Sequence, residues 1–132
     1  MVNPCGIPEA WDLFDKSESP SKILAFIQKH HPQPHQRAQY YIIDKACQLL
    51  RYIVTSDDWP TWSLTSRFIV DSYHYINHRI IDYLCRTFCN PAPLNGSAPN
   101  LVRVRPGPKG LEYYRAFNTQ ACVFIAMTYG SL

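Results

Sequence analysis

Apolar residues recur along this chain at helical spacing in four stretches, separated by polar segments rich in proline. Between residues 21 and 31, Ile23, Phe26 and Ile27 fall at i, i+3 and i+4 and make one apolar face. Ser19 suits the cap of that helix and Pro20 its first position. Pro32 and Pro34 end it, because proline lacks an amide donor and restricts the residue before it. From about 35 to 55, one row holds Ala38, Ile42, Ala46, Leu49 and Ile53, with Ile43, Cys47, Leu50 and Val54 beside it. Arg37, Asp44, Gln48 and Arg51 form the opposite, solvated row of the same amphipathic period. A third run, 62–89, aligns Ile69, Tyr73, Ile76, Ile80 and Leu84. As one helix it spans about 40 Å and serves as the axis for the others. A fourth, 111–128, puts Tyr114, Phe117, Ala121, Phe124 and Ile125 on one side.

This pattern predicts an all-α fold, an up-down bundle of three to four helices in a single domain over 21–132. A Pro-rich extended arm, 1–20, precedes the bundle, and a long loop, 90–110, interrupts it with five prolines and three glycines. Within that loop Leu101–Arg105 alternates apolar and basic residues, as a short edge strand does. A loop of this length in a compact domain is expected to be disordered or laid on a partner surface.

Charge and cysteine count narrow the functional classes. A net charge of +3 is too weak to imply nucleic acid without a clustered patch. Five cysteines is an odd number, and the chain does not start with a charged segment followed by an apolar one. Both features favour an intracellular reducing compartment over a secreted disulfide framework, and a mitochondrial location is compatible with them. No run reaches 18 consecutive apolar residues, so no transmembrane segment is expected.

Candidate chemistry concentrates in the third run. His74, His78, Cys85 and Cys89 fall in one sector of a continuous helix. His74 and Cys89 would then lie about 22 Å apart along its axis, which forbids one four-ligand site. The feasible zinc site takes Cys85 and Cys89 from the helix end and His31 and His35 from the 30–35 linker, which an up-down topology brings to the same level. Neither a G-x-S-x-G elbow nor a phosphate-binding glycine loop is present. Arg103 and Arg105, interleaved downstream with Tyr113 and Tyr114, offer charge and stacking for RNA, and also the residue types favoured at protein interfaces. Trp11, Phe14, Trp59 and Trp62 are the aromatic candidates for anchoring a protein partner.

These features favour a non-enzymatic structural protein, an accessory subunit bound to other protein chains of a larger assembly. A small zinc-stapled helical adaptor is the alternative, with no other cofactor implied. An RNA-associated protein using residues 103–115 is the second alternative.

Overall fold

The computed structural model describes residues 1–3 and 6–116. Short helices alternate with short strands: α1 (Pro20–His30), a 3-10 turn (Pro34–Gln36), β1 (Tyr40–Ile42), α2 (Ala46–Val54), α3 (Trp59–Thr65) and β2 (Arg67–Ile69). Then follow α4 (Ser72–Tyr75), α5 (Tyr83–Phe88), β3 (Val102–Gly107) and β4 (Gly110–Arg115). The expected all-α bundle is therefore overturned: the fold is mixed, with five short helices and two two-stranded sheets among the described residues.

α1 forms as its sequence predicts, with Ser19 accepting from the Lys22 backbone N–H and Pro20 in the first turn. The other expected helices divide. The 35–55 helix survives as α2 alone, because Tyr40-Tyr41-Ile42 pairs in parallel with Arg67-Phe68-Ile69. Both triplets carry the aromatic and β-branched residues that suit a strand, and α2 and α3 form the crossover that parallel pairing requires. The 62–89 helix breaks into α3, β2, α4 and α5. Asp71 caps α4 by accepting from the Tyr73 and His74 N–H groups, and Asp82 caps α5 by accepting from Cys85 N–H. Of the fourth helix, 111–115 is β-strand, and the remainder of 111–128 apart from Ala116 lies outside the described residues.

The two faces of the parallel pair explain the rest of the architecture. Strand alternation turns Tyr41 and Phe68 to one side, where they stack at 5.8 Å and join α1, α2, Trp62, Cys85 and Cys89 in the main core. Tyr40, Ile42 and Ile69 face the other side and meet Ala98, Leu101 and Val102. The long loop thus covers the back of the chain's own sheet. The Tyr40 hydroxyl donates to the Pro99 carbonyl at 2.5 Å, Asn100 Nδ2 donates to Gln39 Oε1 at 3.0 Å, and Arg67 donates to the Ser97 carbonyl. The extended arm also lies on its own chain. Met1 packs against the main core, Phe14 meets Phe26 edge-on at 6.0 Å, and Asp15 pairs with Lys22. No described helix is long and apolar enough to cross a membrane.

Candidate metal centre

Breaking the third run of the sequence reorganises its histidines and cysteines. Turns at His74–Asn77 and Tyr75–His78 follow α4, and a further turn, Arg79–Asp82, leads into α5. On a straight helix His78 and Cys85 would be separated by about 10 Å of axial rise. Here the folded-back loop brings His78 Nδ1 to 3.1 Å from Cys85 Sγ. Cys47 of α2 approaches the same nitrogen, its Sγ at 3.5 Å. The three ligand atoms all lie within 4.8 Å of one another, and this is the only such His, Cys and carboxylate group among the described residues.

Three contacts hold the loop in this position independently of any ion. Arg51 Nη2 donates to both carboxylate oxygens of Asp82 at 2.6 Å, joining α2 to the start of α5. Asp82 accepts the Cys85 backbone N–H at 3.1 Å. The Arg51 guanidinium, and then that N–H, hold the Asp82 carboxyl below its ordinary value. Arg86 donates to the carbonyls of His78 and Arg79 and lies over the Tyr75 ring at 4.4 Å.

Cys85 and Cys89 are fully buried with Cys47 in the main core. Burial, and then the neighbouring Cys47, push the Cys85 thiol up to about 12. Burial, followed by Cys85 and Cys47, pushes Cys89 to about 12 as well. Without an added positive charge these are protonated, inert thiols, the opposite of an activated nucleophile. A Cys–His catalytic pair is therefore poorly served here despite the 3.1 Å contact.

The sequence-derived site residues scatter. Cys85 belongs to the trio and Cys89 is buried in the same core outside it, but His31 is engaged by the Tyr41 hydroxyl at 2.5 Å, and His35 sits exposed in the 3-10 turn. His78 and Cys47 take the places given to those histidines. The clue to Cys47 was its apolar row on α2, where it reads as one more small core residue. Among the aromatic candidates, Trp11 is 79% exposed and Phe14 is docked on Phe26. Trp59 packs against the core, while Trp62 is wholly buried beneath the Arg37 guanidinium, 3.8 Å from its ring centre.

The basic hairpin is also reorganised. Val104 pairs with Tyr113, whereas Arg103 pairs with Tyr114 and Arg105 with Glu112. Opposed residues share a face, so Tyr113 lies across the sheet from Arg103, Arg105 and Tyr114. Arg105 Nε donates to Glu112 at 3.0 Å and its guanidinium reaches over Tyr114 at 5.3 Å. Tyr113 is thereby on the other face from the arginines, and Arg105 has Glu112 as a partner. Comparison with protein-family models, with curated proteins and with solved structures finds no match.

Proposed function

We propose that this chain is a non-enzymatic interaction protein that docks on another protein chain as an accessory subunit of a larger assembly. The observation that carries the reading is the segment between His78 and Cys85. It is held at both ends, yet Ile80, Ile81 and Tyr83 stand 85%, 87% and 75% exposed, with Ile76 alongside at 76%. Burying each such side chain is worth about 1.5–3 kcal/mol. A folded domain that leaves four of them in water, on a segment anchored by Arg51–Asp82 and Arg86, presents a surface suited to an apolar partner. The burial of Cys85 and the shallow surroundings of the loop support the non-enzymatic part of the reading.

Site-specific photo-crosslinking from position 81, with position 18 as the control, tests it in cells expressing the full chain. A discrete protein adduct from position 81 that is absent from position 18 is expected. Ile80→Asp/Ile81→Asp should abolish the adduct from a crosslinker at position 83 while leaving the melting temperature unchanged. Equal adduct patterns from 81 and 18, or an adduct indifferent to the double substitution, would refute the proposal.

A further inference from the structure

We propose that Cys47, His78 and Cys85 bind one zinc ion, that Cys89 supplies the fourth ligand, and that the ion clamps the 76–82 loop and α5 onto α2. Tetrahedral zinc with Zn–S near 2.3 Å and Zn–N near 2.0–2.1 Å sets its sulfur and nitrogen ligands about 3.5 Å apart. The two Nδ1–Sγ separations here are 3.5 and 3.1 Å, from opposite elements of the fold. A neutral imidazole nitrogen carries either one proton or one lone pair, so Nδ1 bonds one of the two sulfurs at a time, while the sulfurs also meet each other and Cys47 meets Arg51. A cation at the centre of the three atoms engages all of them at once.

Cys89 completes the set by position. It follows Cys85 by one helical turn, its backbone N–H donating to the Cys85 carbonyl at 3.0 Å, and it is fully buried in the same cluster. Its sulfur lies outside the tight trio, so rotation about its Cα–Cβ bond accompanies binding. Residues at i and i+4 have Cβ atoms about 5–6 Å apart, within reach of a shared ion. Binding is a displacement of protons by metal: three S–H bonds break, three S–Zn bonds form, and three protons leave to solvent. The resulting Zn(S⁻)3(N) unit carries one net negative charge, beside the guanidiniums of Arg51 and Arg86. A closed set of four protein ligands in the core is the arrangement of a structural ion.

The full chain, purified under reducing conditions without chelator, should contain about one equivalent of zinc, as a closed four-ligand site does. Cys5→Ser/Cys122→Ser should retain it, and Cys47→Ser or Cys85→Ser should lose it. Cobalt exchange into the wild-type chain gives a second reading where those two variants fail to fold. It should produce intense tetrahedral visible bands and a thiolate charge-transfer band, and Cys89→Ser should weaken the latter by about a third as three thiolates become two. Less than about a tenth of an equivalent of zinc together with no tetrahedral cobalt spectrum overturns the proposal. So does loss of metal from Cys5→Ser/Cys122→Ser, or a disulfide among Cys47, Cys85 and Cys89 in the reduced preparation. An unchanged charge-transfer band in Cys89→Ser removes Cys89 from the ligand set.

Discussion

Asp82 shows how much one side chain decides in this molecule. It caps α5 through the Cys85 N–H and receives Arg51 from α2, so it turns the backbone at the residue where a continuous helix would have run on. A carboxylate cap replaced by alanine costs about 0.5–2 kcal/mol, whereas asparagine caps nearly as well as aspartate. The Arg51 pair is partly exposed and adds about 0–1 kcal/mol. Asp82→Ala should accordingly destabilise the chain more than Asp82→Asn in urea titrations. Equal losses would show that the ion pair, not the cap, is what Asp82 contributes. Asp71 does the same at the start of α4. It is buried and bonded to His74 Nδ1 at 2.7 Å, which keeps that histidine on its own cap and away from the cysteines.

Among the elements, the β3–β4 hairpin is the one whose function depends most on register. Alternation between 101 and 105 shows a strand in the sequence, but the partner strand falls where an apolar helical repeat begins. Pairing Arg105 with Glu112 leaves Arg103 as the unopposed charge of its face. Single-stranded binding weakens with salt by about 0.7 log units per log unit for each phosphate neutralised. Any RNA affinity of the full chain measured by fluorescence anisotropy should therefore show a slope no steeper than about −1. A slope of about −3, abolished by Arg103→Ala, would restore the hairpin as a nucleic-acid surface.

At the scale of the whole molecule, the arm and the long loop belong to the fold and are not free extensions. The loop supplies Ala98 and Leu101 to the back of the parallel pair, and the arm lies along α1. The tryptophans divide accordingly. Trp62, at the junction of Tyr41 and Phe68, should cost about 3–5 kcal/mol when replaced by alanine. Trp11→Ala should stay within about 0.5 kcal/mol. Comparable losses for both, measured by urea unfolding of the isolated chain, would mean that the arm is integral to the core. Zinc at the proposed Cys47–His78–Cys85 site would act at this scale too, since α2 and α5 are the elements it would join.

The amino-acid sequence by itself determined the local events whose causes are local. Ser19-Pro20 starts α1, the histidine–proline segment stops it, and one apolar face defines α2. It also set His74, His78, Cys85 and Cys89 in one sector, but a straight helix puts His74 and Cys89 too far apart to serve one site and directs Cys85 and Cys89 to His31 and His35 instead of His78. Tertiary structure decided what those pieces become. Apolar residues at 68–70 satisfy a helical repeat and a strand equally well, and pairing with Tyr40–Ile42 selects the strand because it buries Phe68 and Ile69 on both faces at once. Once that strand forms, the chain must turn at Asp71 and again before Asp82. The second turn places His78 beside two thiols, one of them, Cys47, 31 residues away in the chain, a meeting that no spacing in the sequence encodes.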